Sequence, residues 1–488
     1  MPSIHEFTII ITLLMLFCVF ASRFLTYFGV PVLIFFIGIG MILGSEGVFG
    51  IHFDNPNLTR EIGNIALCFI IFSGGMDLRW RSAKPIISSG LLLSTVSVFL
   101  TAFLVGIVSS LVLGIPLLYG LLLGAIVSST DAATVFSVFR TQKSRLKSKV
   151  ASLLEFESGS NDPMAFMLTI TMLGIITNPQ DGILNYALLF LKQFGFGTII
   201  GITLGFVTVQ ILNRMRLSVE GMYLIVGISL LLFTYSITSL VGGNSFLAVY
   251  IAGFIIGNAS FIRKTRLVRF FEGQSWLAQI ILFVTLGLQV FPSRLVPVAI
   301  SGIIISLILI FIIRPIVVIP VLSLFKIPFK EQLFISLVGF RGAASIVFAT
   351  YPLTAGLPFA SEIFDIVFFI ALSTVLFQGI SLKPFAKHLG VLEKEDNRPV
   401  MQTFSQYMDE LNDMPILGVY VLNDSPAIGK KISELELPQH VRIVAIRQAG
   451  HYITPKGQTV VNAGDRMLLT SLEEYNLSEI CEKFKFES

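Results

Sequence analysis

The run Glu157-Ser158-Gly159-Ser160-Asn161-Asp162-Pro163 gathers carboxylates, hydroxyls and a carboxamide within two helical turns. These are hard oxygen ligands of the kind that suit an alkali cation, and a carboxylate among them can hold a proton instead. On a helix, Ser158 and Asp162 stand at i,i+4 and share a face, as do Glu157 and Asn161. Pro163 has no N–H to give to the carbonyl of Gly159, which leaves that acceptor for a cation or a water. Burying a carboxylate for helix packing alone would be too costly, so Asp162 is read as a functional group.

Two further runs have the same character. Ser128-Ser129-Thr130-Asp131-Ala132-Ala133-Thr134 places four polar residues in succession, which suits an unwound helix lining a cavity. Gly339-Phe340-Arg341-Gly342-Ala343-Ala344-Ser345 carries an arginine between glycines. A buried guanidinium needs a carboxylate partner, and Glu157, at a nearby depth, is the expected one for Arg341. Arg314, nearer the end of its apolar stretch, is expected to snorkel to the surface.

The elements that must position these residues are membrane spans. Of 488 residues, 54% are hydrophobic and 13% charged, against about 25% charged in soluble domains. Apolar stretches long enough to cross the ~30 Å hydrocarbon core recur at 4–22, 29–45, 62–76, 86–113, 116–140, 150–177, 189–212, 221–241, 245–261, 271–291, 295–324, 331–352 and 361–382. Odd-numbered loops hold 17 Lys and Arg against 3 in the even ones. The odd loops are therefore expected in the cytoplasm, with the N-terminus outside and the C-terminus inside. At 1.5 Å per residue Asp162, Asp131 and Arg341 all fall ~13–18 Å from the inner surface. Spans 5 and 12 run in opposite directions and share the pattern Asp131-Ala132-Ala133-Thr134 against Gly342-Ala343-Ala344-Ser345. That predicts an inverted repeat, spans 4–6 against 11–13, with two broken helices crossing. Gly197, Gly201 and Gly205 put small residues every four on span 7, a close-packing face.

The fold class expected is thus an all-α polytopic membrane protein of about thirteen helices (residues 1–390). A polar linker at 391–414 and a small α/β domain at 415–488 follow. The tail reads as short strands at Ile416–Leu422, Val441–Arg447 and Arg466–Ser471, a Gly464-Asp465 turn and a final helix near 473–484. A net charge of +4 gives no reason to expect nucleic acid. Cys18, Cys68 and Cys481 suggest neither disulfides nor a metal site.

At Thr130-Asp131, Glu157-Ser158 with Asn161-Asp162, and Gly339-Phe340-Arg341-Gly342 the chain resembles the monovalent cation:proton antiporter family 1, over roughly residues 5–390. Its nearest likeness is to the potassium/proton branch named for cell volume regulation protein A. The resemblance implies a homodimer of protomers with a moving six-helix core. It implies Asp162 as the alternating cation and proton site, Ser158 and Thr130 as further ligands, Asn161 and Asp131 shaping the crossing, and a Glu157–Arg341 pair. Some relatives carry an acidic ligand in span 3. Here the only acid there is Asp77, at the end of the span, so that ligand is not carried over.

The tail resembles the C-terminal subdomain of potassium-conductance regulators at Asp424-Ser425-Pro426-Ala427-Ile428-Gly429, Ile453-Thr454-Pro455 and Ala463-Gly464-Asp465-Arg466. It is read first as a ligand-free dimerisation or gating module. A site for cyclic di-AMP or another nucleotide at Arg447 and Pro455 is the second reading. No strand precedes a G-x-G-x-x-G, so NAD is not expected.

The function expected is exchange of K⁺ or Na⁺ for H⁺ across the plasma membrane, electroneutral, serving pH, cation and volume homeostasis. No enzymatic activity and no resident metal are expected. A regulated potassium channel is the alternative, but no Thr-Val-Gly-Tyr-Gly-like filter occurs. An organic-anion transporter would want uncompensated positive groups at the midplane, where carboxylates here outnumber arginine.

Overall fold

The computed structural model describes residues 12, 32–141, 144, 146–215, 220–261, 264–393, 416–422, 424–435, 437, 441–448, 451–471, 484 and 486–487. The chain divides into two compact units, Met1–Glu393 and Lys394–Ser488. Expected span 1, most of the linker and most of the final helix lie outside the described residues.

In the first unit the helices are α1 (Val32–Leu43), α2 (Pro56–Asp77), α3 (Trp80–Leu113), α4 (Leu117–Val127), α5 (Ala132–Thr141), α6 (Ser148–Thr177), α7 (Ile183–Arg214), α8 (Glu220–Leu240), α9 (Ser245–Asn258), α10 (Lys264–Gln289), α11 (Pro292–Ser323), α12 (Phe329–Leu337), α13 (Ala343–Thr354) and α14 (Ala360–Leu389). They fall on expected spans 2 to 13, with α4 and α5 sharing one span and α12 and α13 another. Among the described residues six helices are long and apolar enough to cross a membrane alone, and α6 is not one of them. The residues that would do chemistry are what lower its hydropathy.

Both α4/α5 and α12/α13 are interrupted, at 128–131 and 338–342. The helices that lead into them match as well. Each contains one π-helical turn, Leu93–Ser97 in α3 and Leu309–Ile313 in α11. This is the inverted repeat expected from the sequence, α3–α6 against α11–α14.

The remaining helices pack through small residues. A Cβ on Gly197, Gly201 or Gly205 of α7 would lie 2.7–3.2 Å from atoms of Asn244, Ala248 or Ala252 on or beside α9. The glycine stripe therefore lets two helix backbones touch, where dispersion is the main attraction available in lipid.

The second unit is a five-stranded antiparallel sheet of order β3-β2-β4-β1-β5. Its strands are β1 (Ile416–Val421), β2 (Val441–Gln448), β3 (His451–Ile453), β4 (Arg466–Ser471) and β5 (Phe486–Glu487). Inward residues Val419, Val421, Ile446, Met467 and Leu469 form its core. Gly464, at φ 83°, makes the turn into β4. Arg447 is exposed on β2 opposite Tyr452 and Arg466, and Pro455 follows β3.

Candidate functional site where two broken helices cross

A helix interrupted inside a membrane leaves backbone groups that water cannot reach, and each must find a partner. Here the two breaks supply partners to each other. Asp131 N donates to Phe340 O at 2.9 Å. Arg341 Nη1 donates to Ser128 O at 3.0 Å and Ser129 O at 2.6 Å. Gly339 N and Arg341 N are taken by Gln378 and Thr374 of α14. Gly342 is required by contact, since a Cβ there would lie 2.5 Å from Asp131 Cβ.

Four helix ends meet at this crossing. The carbonyl ends of α4 and α12 are partly negative and the N–H ends of α5 and α13 partly positive. Arg341, 1% exposed, covers the carbonyl end of α4. Asp131 covers the start of α5, accepting from Thr134 Oγ1 at 2.6 Å and Thr134 N at 3.4 Å, and lies against Gly342 at the start of α13. Each break is thereby neutralised by a charged side chain.

Helix α6 is stitched to the first break. Ser158 Oγ accepts from Ala132 N at 2.7 Å and donates to Thr130 O at 2.6 Å. Asn161 Nδ2 donates to Thr130 Oγ1. Asn161 is fully buried, and its Oδ1 has no hydrogen-bond partner among the described residues. Asp162 Oδ1 accepts from Ser129 Oγ. A cavity of about 40 Å³ is lined by Asp162, Asp131, Ser129, Gln279 and the start of α13. That is room for about one water or one small cation.

Asp162 and Asp131 thus face one cavity. The hydroxyls of Ser158 and Thr130 and the amide of Asn161 are engaged in holding α6 to the break. Two cavity residues escaped the sequence reading. Ser129 stood unmarked within its polar run. Gln279 is one of three glutamines on α10, with Ser275 one turn before it on the same face, and nothing in that spacing says which neighbour it meets.

The expected Glu157–Arg341 pair is replaced by another. Glu157 Oε1 lies 2.6 Å from Arg314 Nη1, with Glu157 2% and Arg314 4% exposed. Arg314 does not snorkel. Its Nη2 donates to Ile335 O at 3.2 Å and Val338 O at 3.1 Å, covering the carbonyl end of α12 as Arg341 covers that of α4. A π-helical turn ends at Ile313, immediately before Arg314. Its wider winding changes the facing of every residue after it, and depth arithmetic on an ideal helix cannot foresee that.

A carboxylate and a hydroxyl lining a small buried cavity can bind one small cation or one proton. Against known proteins, the family described as "Sodium/hydrogen exchanger, transmembrane" matches residues 9–388. The chain belongs to the sodium/hydrogen exchanger family. A TrkA-C domain matches residues 416–484. The chain is 34% identical to the K(+)/H(+) antiporter NhaP of Alkalimonas amylolytica over 469 residues, 96% of this chain and 82% of that one. It is 34% identical over 97% of its length to the K(+)/H(+) antiporter NhaP2 of Shewanella sp. (strain ANA-3), covering 82% of that protein. The structure of the sodium proton antiporter MjNhaP1 from Methanocaldococcus jannaschii aligns with a TM-score of 0.68 at 26% identity, covering 79% of this chain and 99% of that one. As an exchanger-family member the chain is a multi-pass membrane transporter and not an enzyme, and the channel alternative falls away.

Proposed function

We propose that this exchanger carries one monovalent cation against one proton, with Asp162 as the site both must use. The observation that carries the reading is the sharing of the crossing cavity by Asp162 and Asp131 while Glu157 is committed to Arg314. Asp131 is held at the start of α5, so Asp162 is the carboxylate left to alternate. Ser129 supplies a second oxygen. Ser158, Thr130 and Asn161 then act by fixing where Asp162 stands, and the carbonyl-covering arginines keep the broken helices rigid. Loaded with a cation or a proton, Asp162 is neutral, so the cycle moves no net charge.

Potassium is the preferred cation, on the strength of two relatives named for K⁺ and of the regulator-type tail. The distribution of Lys and Arg supports an N-terminus outside and a cytoplasmic tail in the plasma membrane. Two copies pair through helices outside the repeat, and the tail tunes the rate. Proton flux in proteoliposomes, driven in turn by K⁺, Na⁺ and no cation, tests this. Flux with K⁺ above Na⁺, and none without cation, is expected. Cation flux with no proton movement would overturn it.

A further inference from the structure

On the other side of α6 from the crossing lies a cavity of about 330 Å³. Phe156, Met164 and Met167 of α6, Tyr250 and Phe254 of α9, and Trp80 of α3 are among its walls. Most of its hydroxyls are already bonded within the protein. Ser160 Oγ meets Tyr250 Oη at 3.3 Å, and Ser94 and Thr95 bond back to Leu91 O. Thr198 Oγ1, with no partner among the described residues, is the exception. The space reaches the surface at Trp80 and Leu91, both about half exposed.

That opening is basic. Arg79 and Arg81 flank Trp80, Lys84 is one turn on, and all three are exposed. Asn258, which ends α9, holds Trp80 N at 2.6 Å and Leu78 O at 2.8 Å, which brings the start of α10 with Lys264 to the same end. Among the described residues none of these four bases has a salt bridge; Asp77 lies beside them in sequence, and Glu155 of α6 is near enough to Tyr250 of the cleft wall to act on it. A tryptophan at the water boundary, bases around it and an apolar cleft behind it match an anionic headgroup joined to a hydrocarbon chain.

We propose that this cleft binds one acyl chain of an anionic phospholipid, whose phosphate sits against Arg79, Arg81 and Lys84. The bound chain lies along the back of the helix that carries Asp162. Anionic lipid should then alter the exchange rate as well as stability, a consequence that rests on the function proposed above. The binding itself does not.

The test uses the full-length protein, stripped of lipid in detergent and offered phosphatidylglycerol or phosphatidylcholine of identical chains. Retained lipid is counted by native mass spectrometry and thermal stability is followed in parallel. The wild type should retain phosphatidylglycerol several-fold over phosphatidylcholine and melt higher with it. The R79Q/R81Q/K84Q variant should lose that preference, and Leu91→Trp, which fills the mouth, should lose retention of both. Lys192→Gln, at the opposite end of the bundle, should change nothing. Equal retention of the two lipids by the wild type would overturn the proposal. So would a preference that survives the triple substitution, or retention by a folded Leu91→Trp variant. Stabilisation only through protein dimers carrying no lipid would mean that a second copy covers the cleft.

Discussion

The α7–α9 contact and the α4/α5–α12/α13 crossing solve close approach in opposite ways. At α7 the side chains are removed, and Gly197, Gly201 and Gly205 let unbroken helices touch. At the crossing the helices themselves are broken, and charged and hydroxyl side chains take over the backbone's hydrogen bonds. The first contact is apolar, and dispersion holds it in one arrangement. The second keeps a titratable group in a polar lining where it can change partner. The difference teaches that backbone irregularity is confined to the place where an ion must be met.

The comparison breaks most sharply at Asp162. Asp162→Asn keeps the shape and the Ser129 contact but removes the titratable group. Exchange in proteoliposomes should fall to background while the protein remains folded. PH-dependent exchange persisting in the variant would show that the crossing does not house the site.

Next in size is the buried ion pair. Glu157→Ala and Arg314→Ala each leave one charge unmatched, at about 3–5 kcal/mol. The double variant should melt well above the sum of the two losses. Arg341→Ala combined with Glu157→Ala should show no such recovery. If the second pairing recovers and the first does not, Arg341 is the partner after all.

A smaller effect is expected in the apolar contact. A side chain at Gly201 would meet Ala248 O at 2.7 Å, so Gly201→Val should destabilise by about 1–3 kcal/mol, as overpacking does. The apparent affinity for the cation should stay unchanged, since no ligand moves. A shifted affinity would mean that the two regions are coupled.

The smallest effect is expected at the edge of the crossing. Gln279 stands on α10, packed with α1 and α2, yet lines the ion cavity. Its Nε2 donates to Ser275 Oγ at 3.3 Å. Gln279→Leu should change the ratio of K⁺ to Na⁺ transport several-fold and leave melting unaltered. An unchanged ratio would restrict selectivity to the crossing.

Much of this was legible in the residues. The polar runs at 128–131 and 339–342 mark both breaks, although the equally polar run 157–163 lies in the unbroken α6, and the glycine period announces α7. What could not be read depends on rotation about a helix axis. Arg314 and Arg341 are both arginines in apolar surroundings. Arg341 is taken by the carbonyls of Ser128 and Ser129, and Arg314, which follows a π-helical turn with no sequence signature, meets Glu157 instead. Gln279 was hidden for a related reason. Polar residues scattered along α10, Ser275 and Gln279 among them, announce polarity but not the neighbour each faces.

The central claim is that one carboxylate serves both ions in turn. The measurement that tests it most directly is the flux reversal point in proteoliposomes held at several membrane potentials under fixed ion gradients. One cation against one proton moves no charge, so the reversal point should stay where the two gradients balance, whatever the voltage. A potential is worth ~2.3 kcal/mol per charge per 100 mV, so a second proton would move the reversal point visibly. A reversal point that follows the voltage would contradict the account and make Asp131 the second carrier.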